Sequence, residues 1–156
     1  KQFNFMFFDF EKFYQKKIPN KKTFIDVGAN KGDWFSKIIK IYPNSKIYAL
    51  EPIKGITKKK RNVTLINKAI DTKGGLIKNY YITREKVTSS LLTQERSIIN
   101  KFKTFRDKKG QLHKKSDYDI IKVIKIKTER LDNLIKKYKI KDIHFLKIDT
   151  DLLLYL

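Results

Sequence analysis

Phe24-Ile25-Asp26-Val27-Gly28-Ala29-Asn30-Lys31-Gly32 is the stretch on which the reading of this chain turns. Thr23–Val27 is short, apolar and β-branched and stops at a glycine, the pattern of a strand buried in a parallel sheet. Past the turn, Asp33–Tyr42 carries Trp34, Phe35, Ile38, Ile39 and Ile41 at helical spacing, and Pro43-Asn44 stops it. A strand that runs through a glycine-rich turn into a helix lets the backbone approach a ligand closely, because Gly has no Cβ. The first N–H groups of that helix are free to point at whatever sits there. The spacing Gly-x-x-x-Gly is not the Gly-x-Gly-x-x-Gly of nicotinamide enzymes, and no Lys-Ser/Thr pair ends it as in a phosphate loop. Asp26 at the strand end would repel a pyrophosphate and suits a ligand bearing an ammonium group. The plain alternative is a strand–turn–helix corner with two helpful glycines.

Glu51-Pro52 weighs against the plain corner. Lys46–Leu50 reads as a second strand, and Glu51 ends it about 20 residues past the glycine turn, where a carboxylate can accept hydrogen bonds from both ribose hydroxyls. Pro52 fixes the chain as it leaves. Val63–Asn67 reads as a third strand, after a basic connection (Lys58, Lys59, Lys60, Arg61) expected to be a short solvated helix. Strand, helix, strand, helix, strand begins a parallel doubly wound sheet, hence an α/β fold. Further on, Leu76–Thr83 is an expected strand opened by Gly74-Gly75, and Thr88–Gly110 is polar and mixed. Ile120–Lys127 alternates Ile121, Val123, Ile124 and Ile126 with Lys, suggesting a strand with one wet face. Leu131–Tyr138 is helical with Leu131, Leu134 and Ile135 inward. His144–Asp149 reads as another buried parallel strand.

The bulk properties bound the function classes. A chain of 156 residues with 40% hydrophobic and 13% aromatic residues is globular and long enough for one real core. Cys is absent, excluding disulfides and thiolate metal sites, and His113 and His144 are far apart, so no metal site is expected. The net charge of +21 suggests nucleic acid or an anionic surface. Yet only Arg61, Arg84, Arg96, Arg106 and Arg130 are arginines. Lys, Ile and Asn in abundance are what an AT-rich genome writes, whereas RNA-binding faces usually favour Arg. A nucleic-acid partner is therefore not favoured. No apolar stretch reaches the ~18 residues of a membrane span. Residues 1–22 are rich in Phe but interrupted by Asp9 and Glu11, and no small-residue cleavage site follows. They read as an amphipathic N-terminal helical segment, with 23–156 as the ligand-binding domain and a cytoplasmic location expected.

Phe24-Ile25-Asp26-Val27-Gly28-Ala29-Asn30-x-Gly32, then Glu51-Pro52, Asn67-Lys68-Ala69-Ile70 with Gly74-Gly75, Ser89-Ser90-Leu91, Thr128-x-x-Leu131-Asp132 and Phe145-Leu146-Lys147-Ile148-Asp149 resemble the FkbM-type methyltransferases in order and spacing, over about residues 22–151. The resemblance implies a Rossmann-like class I methyltransferase sheet, largely parallel, with S-adenosylmethionine as donor. It implies O-methylation of a sugar, lipid-linked or small-molecule hydroxyl. By the same resemblance Asp26, Gly28, Asn30 and Gly32 line the methionine and ribose side, Glu51 holds the ribose diol, and Asn67, Lys68 and Ala69 lie beside the adenine. Asp149 sits at the mouth near the methyl group. The family pattern continues Asp-x-Glu-Gly and a helix, where this chain reads Asp149-Thr150-Asp151-Leu152. The sheet is thus expected to be incomplete at the C-terminus. Leu152–Leu156, apolar beside an uncovered sheet edge, implies self-association.

Methyl transfer from a sulfonium is an in-line displacement that rewards positioning, and a hydroxyl nucleophile must also lose its proton. His144 begins its strand, roughly 15 Å from the carboxyl edge where ligands bind, and reads as structural. Asp149 and Asp151 lie at the correct edge and are the candidate bases. Two rivals stand beside the small-molecule or glycan O-methyltransferase. An RNA-modifying methyltransferase is motivated by the charge and opposed by the lack of an Asn/Asp-Pro-Pro-Phe/Tyr motif. A non-catalytic cofactor-binding remnant is motivated by the absent strands.

Overall fold

A computed structural model of the chain describes residues 21–86, 89–91, 104–106, 112–114 and 119–149. The expected N-terminal helix, Asp151, Leu152–Leu156 and most of the polar middle lie outside these residues. The elements in chain order are β1 (Thr23–Val27), α1 (Asp33–Ile41), β2 (Lys46–Leu50), β3 (Val63–Ile66), β4 (Ile77–Thr83), β5 (Thr104–Arg106), β6 (Leu112–Lys114), β7 (Ile120–Lys127), α2 (Leu131–Lys137) and β8 (Ile143–Ile148).

Four strands form one sheet in the order β3-β2-β1-β8, every pair parallel. The period of two along each strand divides its residues between the faces. Phe24, Ile47 and Ala49 meet Phe35 and Ile38 of α1 on one face, with Trp34, Val63, Leu65 and Phe145 packed around them. Ile25, Val27, Leu50 and Ile66 meet Leu134 of α2 on the other, with Leu131, Ile135 and Tyr138 beside it. Each helix has one apolar stripe and can bury it only against a sheet, so two helices on opposite faces make a Rossmann-like α/β layer structure. The chain runs outward from β1 through β2 to β3 and later returns to the other side of β1, so the strand order reverses at the β1–β8 pair. In open α/β sheets, ligands bind outside the carboxyl ends of the strands at such a point.

β4 and β7 pair antiparallel from Ile77↔Lys127 to Thr83↔Ile120, apart from the sheet of four. Tyr80 and Ile82 are buried on one face of this ribbon, with Ile124 and Ile126 half-buried opposite and beside them. The ribbon is joined to the parallel sheet's loops through backbone bonds. Glu129 N–H donates to the Ala69 carbonyl (2.9 Å), Asp71 N–H to Glu129 (3.0 Å) and Thr128 N–H to Leu76 (2.8 Å).

Several expectations shift. The basic connection Lys58–Arg61 is turn and coil rather than helix. Four successive cations repel, no apolar stripe accompanies them, and the Thr57 hydroxyl donates to the Asn30 carbonyl instead. β3 ends at Ile66, and the Asn67 side-chain amide donates to the Glu51 carbonyl at 3.0 Å. Ile121 and Val123 of β7 face outward and are exposed, so its wet face carries apolar residues as well as Lys. β8 is parallel as expected but not fully buried, because among the described residues it is the outer strand: Leu146 and Ile148 are exposed. Lys21 and Lys22 are not helical. Lys22 is instead almost completely buried, its carbonyl accepting from Lys46 N–H at 2.7 Å and its Nζ 3.4 Å from the centre of the Tyr42 ring. Burial pushes its ammonium pKa down, and the ring face offsets part of the lost hydration.

Candidate functional site

The glycine turn is bent by backbone geometry only small or turn-forming residues accept. Gly28 has φ +79° and Asn30 φ +49°. The N–H groups of Gly28 and Ala29 both donate to the Leu50 carbonyl at 3.0 Å, which draws the turn over the end of β2. Glu51 completes the corner. Its carboxylate accepts from the Asn30 N–H (3.0 Å) and from the Ile53 N–H (2.9 Å), one on each oxygen. A single side chain thus ties the loop after β1 to the loop after β2. Glu51 is only 6% exposed. Burial pushes its carboxyl above the usual range, and the two N–H groups oppose that.

A cleft of about 550 Å³, its open mouth included, lies outside the carboxyl ends of the parallel strands. β1 contributes Val27 and Gly28 with Asn30, β2 contributes Leu50 with Glu51 and Pro52, and the loop after β3 contributes Lys68, Ala69 and Ile70. Asp149 stands where β8 ends, and its N–H donates to the Val27 carbonyl at 3.0 Å. The roof comes from the antiparallel ribbon and the segment after it: Tyr80, Lys86, Ser89, Ser90 and Leu91. That roof is held by the Tyr80 hydroxyl donating to the Ser89 carbonyl (3.0 Å) and by paired backbone bonds between Tyr81 and Ser90 (2.8 and 3.1 Å).

Of the residues singled out from sequence, Gly28, Asn30, Glu51, Lys68, Ala69 and Asp149 therefore share one cleft. Three others stand outside its lining. Asn67 spends its amide on the Glu51 backbone. Gly32 lies at the start of α1 with φ +89°, and a Cβ there would fall 2.1 Å from the Phe35 ring, so its lack of a side chain serves packing. Asp26 is completely buried on the α1 face. Lys147, its register partner across β1 and β8, donates to Asp26 Oδ1 at 3.1 Å and lies 3.2 Å from Asp149 Oδ2. Burial pushes the Asp26 carboxyl up, and the Lys147 ammonium opposes that. His144 is confirmed at the far end of its strand, where its Nδ1 accepts from the Thr23 N–H at 3.2 Å. The sequence reading missed Tyr80, Lys86 and Lys147. Tyr80 was signalled by its place on the inward phase of β4, and Lys147 by being a cation inside an apolar strand.

A family model for the methyltransferase FkbM domain matches residues 26–151. No curated protein and no solved structure matches the chain. No helix among the described residues is long and apolar enough to cross a membrane, and no cluster of three or more His, Asp or Glu among them could hold a metal. With a parallel sheet whose strand ends gather the glycine turn, Glu51 and Asp149 into one cleft, and with a domain match over most of its length, the chain belongs to the FkbM methyltransferase family.

Proposed function

We propose that the cleft binds S-adenosylmethionine and that the protein methylates a hydroxyl of a small-molecule, lipid-linked or glycan acceptor, as a cytoplasmic enzyme. The observation that carries the reading is the convergence of Gly28, Glu51, Lys68–Ile70 and Asp149 at the carboxyl ends of four parallel strands. The residues present fit the group. Each Glu51 oxygen accepts one backbone N–H and keeps a second lone pair, so the carboxylate offers two adjacent acceptors to a vicinal diol. Gly28 presents bare backbone to the cleft, and Ala69 with Ile70 offers an apolar shelf for a flat base. Asp149 places a carboxylate beside the glycine turn, where positive charge on the ligand is favoured.

Bound there, the cofactor would supply a methyl group activated on a cationic sulfur. The chain's own contribution is positional: Glu51 and the glycine turn fix the ligand's long axis, and the roof from Tyr80 to Leu91 keeps water from one side. Asp149, and Asp151 by the resemblance, are the groups proposed to take the acceptor's proton. The Lys-dominated charge gives no reason to prefer a nucleic-acid acceptor. Calorimetric titration with S-adenosylhomocysteine tests the cofactor reading before any acceptor is known. Saturable 1:1 binding is expected; its absence in the folded chain would favour the remnant reading.

A further inference from the structure

We infer that Lys147 is a positioning residue that ties the buried Asp26 to Asp149 at the cleft mouth, and so fixes the negative charge that the cleft presents to a cationic sulfur. The inference rests on the cofactor reading of the cleft. Lys147 and Asp26 face each other across the β1–β8 ladder, and Asp149 follows two residues after Lys147, just past the end of β8. One ammonium therefore meets two carboxylates, at 3.1 Å from Asp26 and 3.2 Å from Asp149, with the Trp34 ring 5.9 Å away. The three groups form a gradient of exposure: the side chains of Asp26, Lys147 and Asp149 are 0%, 21% and 75% exposed.

Stability alone does not account for this arrangement. A buried ion pair recovers little more than its own desolvation, and an apolar pair of similar volume does as well or better. Here Trp34 and Phe145 already stack at that face with ring centres 5.7 Å apart, so an apolar partner would have found a dry wall to pack on. What the lysine supplies is orientation. A largely exposed aspartate at a strand end samples several rotamers, whereas a charge-assisted bond from a side chain rooted in the sheet holds one. It also supplies sign. Two carboxylates and one ammonium leave a single net negative charge beside the Gly28 turn. Without Lys147 the Asp26 carboxyl loses the ammonium that opposes the effect of its burial, and Asp149 would be free to turn toward solvent.

The consequence is readable as the ratio of affinities for S-adenosylmethionine, whose sulfur is cationic, and S-adenosylhomocysteine, whose sulfur is neutral. Calorimetry with both ligands is run on the full chain and on Lys147→Met, Lys147→Arg, Asp149→Asn and the Lys147→Met/Asp149→Asn double variant. Asp149→Asn removes a negative charge and is expected to shift the ratio against the cationic ligand, on the order of fivefold for one charge in a partly wetted site. Lys147→Met is expected to shift it in the same direction by freeing Asp149 to turn toward solvent. The double variant should shift it no further than either single change, and Lys147→Arg should restore it. If Lys147→Met does not fold, Asp26→Asn/Lys147→Met removes the stranded buried charge along with its partner and must show the same shift. An unchanged ratio, or additive shifts in the double variant, overturns the inference while leaving the cofactor reading intact. A folded native chain that binds neither ligand overturns both.

Discussion

Gly32→Ala separates packing from ligand contact at the end of the glycine turn. Gly32 has φ +89°, and a Cβ built on it would lie 2.1 Å from Phe35 Cζ and 2.5 Å from one Cε. Phe35 is fully buried in the core between α1 and the sheet, so its ring can yield only by displacing other core side chains. The left-handed backbone costs an alanine about 1–2 kcal/mol. Overpacking a close-packed core adds about 1–3 kcal/mol. The two together come to roughly 2–5 kcal/mol, a large part of the ~5–15 kcal/mol by which a domain is typically stable. Urea denaturation followed by circular dichroism measures it, as a midpoint shift at constant slope. Repeating the change in a Phe35→Leu background gives the ring's share: with the clashing atoms gone, only the backbone part of about 1–2 kcal/mol should remain. A loss below about 1 kcal/mol, or an equal loss in both backgrounds, would refute the packing argument. Conversely, a Gly32→Ala protein that is stable but no longer binds S-adenosylhomocysteine would return Gly32 to the ligand.

Glu51→Gln should weaken S-adenosylhomocysteine binding by about 1.5–3 kcal/mol, because a carboxamide has one acceptor where two backbone N–H groups and a diol require more; unchanged affinity in a folded variant removes Glu51 from the pocket. Gly28→Val should abolish binding, since a β-branched residue is strained at φ +79° and would fill the turn; normal titration of that variant would sink the cofactor reading. Ligand affinity should fall on acidification at a pH above that of an ordinary carboxyl, because burial raises Glu51 and protonation removes its acceptors; calorimetry across mildly acid pH checks it. Asp71 has the opposite sign: its hydrogen bond from Lys78 holds it below its usual range, so its contribution to stability is present at neutral pH and lost as pH falls through its folded value. The stability difference between native and Asp71→Asn should therefore shrink on acidification, and a difference constant with pH would refute it.

The parts of the fold written in local pattern were legible. Thr23–Val27 and Lys46–Leu50, short runs ending at turn residues, are strands with the bounds their pattern gives, and Val63–Asn67 is a strand that ends one residue earlier, at Ile66. The stripe through Phe35 and Ile38 faces the sheet as its spacing requires. What local pattern does not encode is which neighbour a residue meets after the chain has crossed over. The register that sets Asp26 opposite Lys147 joins residues 121 apart, and no window of sequence contains both. The alternation of Ile121, Val123, Ile124 and Ile126 with lysine marks a strand with one wet face, but which face that is depends on Tyr80 and Ile82 on the partner strand. Gly32 was assigned to the ligand by motif alone, and the Phe35 ring three residues on shows a nearer reason for a glycine there.

Two buried carboxylates, Glu51 in the cleft wall and Asp26 outside its lining, are held in different ways, and that difference separates their roles. Glu51 is bonded by backbone N–H groups of Asn30 and Ile53, partners no substitution at those positions short of proline removes. Its position is therefore a property of the fold itself, and the same bonds that oppose the effect of burial on its carboxyl also bend the two loops into the cleft's wall. Asp26 depends instead on one side chain, Lys147, which a single substitution deletes. A group anchored by backbone suits a ligand contact that must be present in every state, such as a diol clamp. A group anchored by a shared lysine is coupled to whatever else that lysine holds, here Asp149 at the mouth. Because the lysine touches both carboxylates, a change in the charge or position of either is felt by the other.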